Sequence, residues 1–353
     1  MFKFPIIDSH IHMYTEEDLA AIENAAEKGR YRAYTLLSSS FMPQTAPGNL
    51  SVMWAKMKHA GQVYGYASLH AELHGKPNAE DLLAQVKLYH KMGFDGIKMI
   101  DGKPSIRKDR VPLDDPCYDP MFTYLEENQI PVLYHSNDPI EFWNIDLIPD
   151  WAREAFLYGK DVPSKDQITR ETVGILKKHP GLNITIAHLF FLPNTGEYEL
   201  ACELMEKYPN FFMDFTPGWE MFGDMHRCPE KWRNYVIKYS ERLTYGTDIN
   251  GVGTNVERLS PLQKLFETEE ELTVGEYRCY GLKLDDATLK NIYLDTYRYR
   301  IQKKEPLPMN MEDLNSYVDA LEKRISVYKD IDRSRALSDM RKFKNLIMEA
   351  AEG

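Results

Sequence analysis

The sequence predicts an α/β fold: a closed (β/α)8 barrel with a helical insertion after its fifth strand and a helical extension at its C-terminus. Three observations lead there. Eight short β-branched or aromatic runs recur along the 353 residues, helix-like stretches separate them, and no glycine-rich phosphate turn follows the first run. Strands alternating with helices build parallel βα units. A doubly wound open sheet, the competing architecture, would call for that missing turn.

The runs are residues 4–12 (FPIIDSHIH), 32–37 (RAYTLL), 63–69 (VYGYASL), 96–100 (GIKMI), 131–135 (PVLYH), 183–189 (NITIAHL), 210–215 (NFFMDF) and 242–247 (RLTYGT). Between the third and fourth, Leu82, Leu83, Val86, Tyr89 and Met92 form one apolar helical stripe, closed by Gly93 where a cap belongs. Between the fifth and sixth, Ile168, Val173, Ile175 and Leu176 form another, ended by Lys-Lys-His-Pro-Gly. The barrel then occupies residues 1–305. Residues 137–167 exceed an ordinary βα loop and carry Trp143, Trp151, Arg153, Phe156 and Tyr158, which predicts a cap over the strand ends. The C-terminal extension, residues 306–353, opens in the break Glu-Pro-Leu-Pro, and residues 311–351 follow it. They place Leu314, Tyr317, Val318, Leu321 and Ile325, then Leu337, Met340, Phe343 and Ile347, on amphipathic helical faces. These helices either pack on the barrel, the favoured reading, or form the contact of a homo-oligomer.

The formal charge of −11, with no run of Lys/Arg longer than two, argues against nucleic acid or an anionic membrane as partner. A small-molecule substrate is the expected partner. Cys117, Cys202, Cys228 and Cys279 lie far apart with no CxxC pair, which disfavours a sulfur-based zinc site or a dithiol redox centre. With no secretory signal or membrane-length apolar run, the expected compartment is the cytoplasm.

Chemistry gathers where the strands end. On a regular strand, residues two apart share a face, so Asp8, His10 and His12 would point one way and Ser9 and Ile11 the other. Both imidazoles can then reach one ion. His135 ends the fifth run, His188 stands near the end of the sixth and Asp248 follows the eighth. In a barrel these ends meet on the rim where active sites assemble. Asp8, one step deeper, suits a supporting role.

His10-x-His12, His135, His188 and Asp248, on runs one, five, six and eight, resemble the metal site of the amidohydrolase superfamily. The segments GFDGIKMI, LTYGTDING and LDDATLKNIYLDTYRYRI resemble its amidohydrolase-related branch of metal-dependent hydrolases, lactonases and non-oxidative decarboxylases. The likeness spans about residues 4–302 and leaves out the C-terminal helices. It implies a TIM barrel in which His10, His12, His135 and Asp248 bind a divalent ion, with zinc the expected metal. Asp248 also handles the proton of the ion's water, which a cation can bring to a pKa near ~7. His188 is implied as a catalytic acid or base, or as a ligand to a second ion.

Lys98 has two readings. Some superfamily members bridge two metals with a carboxylated lysine on strand four; a plain ammonium would pair with Asp248, Asp101 or a substrate carboxylate. One metal is the favoured count. His70, Trp143, Arg153 and Trp219 are candidates to line the substrate pocket, with Glu220 beside Trp219 and His74 in a loop. Asp214 can orient a ligand from strand seven. Hydrolysis of a small ester, lactone or amide ranks first. Decarboxylation of a small aromatic or unsaturated acid ranks second, with Lys98, Arg153 or Arg170 facing the carboxylate. A catalytically silent binding protein ranks third.

Overall fold

The computed structural model describes residues 2–40, 42–70, 75–192, 197–216, 218–249 and 259–352, without the side chains of Trp219 and Glu220. Eight parallel strands follow one another in sequence order around a barrel: β1 (Ile6–His12), β2 (Tyr31–Leu37), β3 (Val63–Ser68), β4 (Gly96–Gly102), β5 (Val132–Ser136), β6 (Ile184–Ile186), β7 (Phe211–Phe215) and β8 (Leu243–Tyr245). Each falls within or overlaps one of the eight runs read from the sequence.

The seam between β8 and β1 is closed by the residues just past β8. Asp248 N–H donates to His10 O at 2.9 Å, and His12 N–H donates to Ile249 O at 2.7 Å. The barrel therefore closes through the backbone of three candidate site residues.

Apolar side chains fill the barrel from its other end. Ile7, Ala33, Tyr64 and Phe212 pack against Tyr297 and Ile301 of the helical segment Asn291–Gln302, which plugs that mouth. Leu37, Tyr66, Leu133 and Ala187 form a second buried group. A larger core joins the strands to the surrounding helices, among them Ala79–Lys91 and Lys165–Lys178, the two predicted from apolar spacing. At Gly93, φ is +93° and an added Cβ would stand 2.2 Å from Pro308 O, so only glycine ends that helix here.

The insertion folds into two short helical pieces, Ile140–Trp143 and Asp150–Phe156, around its own small core of Phe142, Ile148, Ala152 and Tyr158. The C-terminal helices Leu314–Ile325 and Asp330–Glu352 bury Leu314, Tyr317, Val318, Leu321, Ile325, Met340, Phe343 and Ile347 against this same chain. Tyr317 OH lies 3.2 Å from His70 Nε2, and Arg324 pairs with Asp81 at 2.5 Å. All four cysteines are free thiols. Among the described residues no helix is long and apolar enough to cross a membrane.

Two local features depart from the sequence reading. An antiparallel hairpin, β9 (Glu271–Val274) and β10 (Tyr277–Tyr280), lies outside the barrel. More consequentially, β1 carries an irregularity between Asp8 and Ile11: those residues pair with Tyr34 and Leu36, so three steps on β1 match two on β2. A bulge breaks strict alternation. Ser9 Oγ, expected on the opposite face from His10, meets Thr244 Oγ1 at 3.0 Å. Asp8 turns to Tyr31 OH and Thr247 Oγ1, at 2.9 and 2.6 Å.

A candidate metal centre at the barrel rim

His10, His12 and Asp248 each bring one ligand atom into a group lying within 4.8 Å. His10 Nε2 and His12 Nε2 are 3.2 Å apart, and each is 3.4 Å from Asp248 Oδ1. The opposite nitrogens are already engaged. His10 Nδ1–H donates to Asp214 Oδ2 at 2.7 Å, and His12 Nδ1 lies 3.0 Å from Ser39 Oγ. Each ring thus has its Nδ1 held and its Nε2 directed at a shared point, the arrangement by which supporting groups orient metal-binding imidazoles. This donor set fits a divalent cation.

The electrostatics agree. Burial, helped by the Lys98 ammonium and opposed by Asp214, pushes His10 down to about 4, so its imidazole is neutral at pH 7. Burial lowers His12 as well, against the pull of Asp248. Burial alone would raise the Asp248 carboxyl, yet the surrounding histidines hold it well below the usual range. Asp248 is 26 % exposed at its side chain while His10 is fully buried, so the group opens to solvent past Asp248.

Asp214 links two parts of the site. While Oδ2 takes the His10 proton, Oδ1 accepts from the His188 backbone N–H at 2.7 Å and from the Thr216 hydroxyl. Burial works against its ionisation, but His10 and His188 bring it down to about 2. His188 Nδ1 lies 2.9 Å from both Thr216 O and Thr216 Oγ1, and among the described residues Nε2 has no hydrogen-bond partner. Its ring stands between His10 and His135, with centroids 5.5 and 5.0 Å away.

His188 does not extend β6 as the run NITIAHL suggested. The strand ends at Ile186, and His188, Leu189, Phe190 and Phe191 follow with φ of 57°, 51°, 57° and 50°. Left-handed backbone costs an L-residue about 1–2 kcal/mol. Here the Asp214 bond to the first residue and Lys165 Nζ on Phe191 O, at 2.7 Å, hold the turn.

His135 lies outside the group of three. Its Nε2 is 3.2 Å from Asp138 Oδ1, and burial with the Lys103 ammonium pushes it down to about 3. Lys98 is fully buried with Nζ 3.4 Å from His10 Nε2, and burial, opposed by Asp214 and Asp248, brings its ammonium down to about 8. Asp101, considered as its partner, is engaged by Arg110 instead.

Of the pocket candidates, His70, Trp143 and Arg153 have partners among the described residues. His70 is bound to the C-terminal helix through Tyr317. Trp143 donates Nε1–H to Pro163 O at 3.2 Å and packs on Tyr158 within the insertion. Arg153 is exposed and pairs with Asp150 at 3.2 Å, and Arg170 is exposed on its helix. The side chains of Trp219 and Glu220, and all of His74, lie outside the described residues. Sequence reading missed Ser39, Thr216 and Asp138. Asp138, three residues past His135, and Thr216, two past Asp214, stood near residues already singled out.

Gly246 keeps the seam tight. An added Cβ there would stand 2.4 Å from Thr216 Cγ2 and 3.0 Å from His10 Cβ. Gly246→Ala should lower stability by about 1–3 kcal/mol through overpacking and displace His10. Paired melting and metal-titration curves check this; unchanged curves would mean that the seam can yield.

The model of the family described as amidohydrolase matches residues 7–295. No curated protein matches the sequence. Among solved structures, a probable 2-pyrone-4,6-dicarboxylic acid hydrolase from Acinetobacter baumannii is similar at 11% identity and a TM-score of 0.52, over 84% of this chain and 99% of that one. A 4-oxalomesaconate hydratase from Rhodopseudomonas palustris is similar at 14% identity and 0.51, over 90% and 99%. So is a 5-carboxyvanillate decarboxylase from Novosphingobium aromaticivorans complexed with manganese, at 14% identity and 0.51, over 85% and 96%. At these identities the likeness is one of fold.

Proposed function

We propose, from the premise that this chain belongs to the amidohydrolase family, that it is a metal-dependent hydrolase of a small ester, lactone or amide. The observation that carries the reading is the ionised, partly exposed Asp248 carboxylate beside two converging imidazole nitrogens. When bound, a divalent cation supplies Lewis acidity, polarising a substrate oxygen and making water more acidic.

The chain's own groups do the rest. His10 and His12 would hold the ion through Nε2, with Asp248 as third donor and His135 as fourth. Asp248 accepts the proton of the attacking water at the solvent side of the group. His188, with Nδ1 fixed on Thr216, presents Nε2 to protonate the leaving group. Asp214 keeps His10 and His188 in register. We favour a single zinc ion, since neutral imidazoles and one carboxylate suit it.

Two observations sustain narrower alternatives. His135 and His188 sit side by side, and a dication near Lys98 would favour the neutral amine that carboxylation needs, so two metals remain the second count. As an ammonium, Lys98 would instead face a substrate carboxylate, which favours decarboxylation.

Elemental analysis of protein purified without chelator decides first. A ratio near one per chain supports the favoured site, a ratio near two supports a carboxylated Lys98, and no metal with no activity on metal addition supports a silent binding protein. Metal-reconstituted protein is then offered lactones, amides and aromatic carboxylates with carbon dioxide monitored. Stoichiometric carbon dioxide without ring opening would replace hydrolysis by decarboxylation.

A further inference from the structure

Asp138 is a buried carboxylate beside the site for which the proposed chemistry has no task. Three parts of the chain converge on it. Its Oδ1 faces His135 Nε2 at 3.2 Å. Its Oδ2 accepts from the hydroxyl of Tyr158, which belongs to the insertion, and lies 3.4 Å from Nζ of Lys103, just past β4. The insertion also holds Lys103, whose ammonium stands 5.0 Å over the Phe156 ring. Tyr158 in turn packs on Trp143, with centroids 4.9 Å apart. The residue before Asp138 is pinned as well: Asn137 Nδ2 donates to Lys165 O and Thr169 Oγ1 at 3.0 and 2.8 Å.

A carboxylate only accepts, so His135 must carry its proton on Nε2 and keep its lone pair on Nδ1. His188 has the complementary arrangement, with Nδ1 engaged and Nε2 without a partner among the described residues. We propose that Asp138 is a positioning residue that selects Nδ1 of His135 as the donor toward the metal and makes that orientation depend on the seated insertion. The inference rests on the metal-site reading above. It assigns the insertion a role beyond covering the barrel: Tyr158 and Phe156 reach the metal's fourth donor through one shared carboxylate. An amide at position 138 can donate as well as accept, which frees His135 to turn its ring or change tautomer.

The test is Co2+ titration of chelator-treated full-length protein, followed by visible absorption, with a thermal melt of each variant. Asp138→Asn should weaken Co2+ binding by about 10–100-fold, the usual cost of losing an orienting partner, and alter the ligand-field bands. Tyr158→Phe removes one hydroxyl and should weaken binding less, by about threefold, in the same direction. Because Tyr158 acts through Asp138, the double variant should bind like Asp138→Asn alone. Wild-type affinity and bands in Asp138→Asn would overturn the proposal, as would two effects that multiply in the double variant. If Asp138→Asn does not fold, the isosteric Tyr158→Phe decides alone, and unchanged affinity in it counts against us. A wild-type protein that takes up no Co2+ would instead overturn the metal-site reading, and this inference with it.

Discussion

His10→Ala and His12→Ala should each bring metal content close to zero while the barrel stays folded. Each removes one of the three donors that converge within 4.8 Å. The loss should exceed the about 10–100-fold that follows removal of a mere orienting partner. The two variants should part company in stability. His12 is held by a neutral hydroxyl, Ser39 Oγ, and its side chain reaches solvent, so its loss strands no charge. His10 is fully buried and donates to the buried Asp214 carboxylate. Removing it leaves the buried Asp214 Oδ2 without its donor, and stranding a buried acceptor costs about 1–3 kcal/mol, more when that acceptor is a carboxylate. Elemental analysis with thermal melts should therefore show two metal-free proteins, of which only His10→Ala melts much earlier. Full occupancy in either variant would move the site away from β1.

The strands and the polar rim were legible for one physical reason. Strands buried on both faces stand in the sequence as short, nearly continuous apolar or β-branched runs, and a (β/α)8 barrel brings the strand ends together whatever their spacing along the chain. His10, His12 and Asp248 could thus be collected from opposite ends of the chain without any contact being known, whereas His135 stands apart on Asp138. What stayed hidden is whatever interrupts a regular strand. The bulge at Ser9–His10 inserts one residue that no pattern marks, so Asp8 and Ser9 exchanged their expected faces. The left-handed run His188–Phe191 consists of residues that ordinarily avoid that conformation, and it persists because Asp214 and Lys165 hold its two ends. Ser39, Thr216 and Asp138 support the site from loops and strand ends, where a single polar residue carries no periodic signal. His70 shows the converse. Its place after β3 resembled that of His135, but the C-terminal helix claimed it.

That claim has a pH signature. His70 is buried, and burial, reinforced by the Arg324 guanidinium, pushes its imidazole down to about 3 from an ordinary 6.5. Above pH 6.5 the ring is neutral in both folded and unfolded chains, so its titration adds nothing to the pH dependence. As pH falls below 6.5, the unfolded chain takes up a proton that the folded one refuses, so stability falls with falling pH until about 3. At pH 5 the unfolded ring is about 1.5 units below its pKa, a loss of about 2 kcal/mol. His70→Gln cannot titrate and can still hydrogen-bond Tyr317. It should be less stable than wild type at pH 8 because of imperfect packing, and the gap should shrink by about 2 kcal/mol at pH 5. Urea unfolding of both proteins across that range measures the gap directly, and any contribution from the metal site cancels in the difference. A gap that stays constant with pH would mean that His70 is protonated or solvated in the folded protein, and that the C-terminal helices do not seal it against β3.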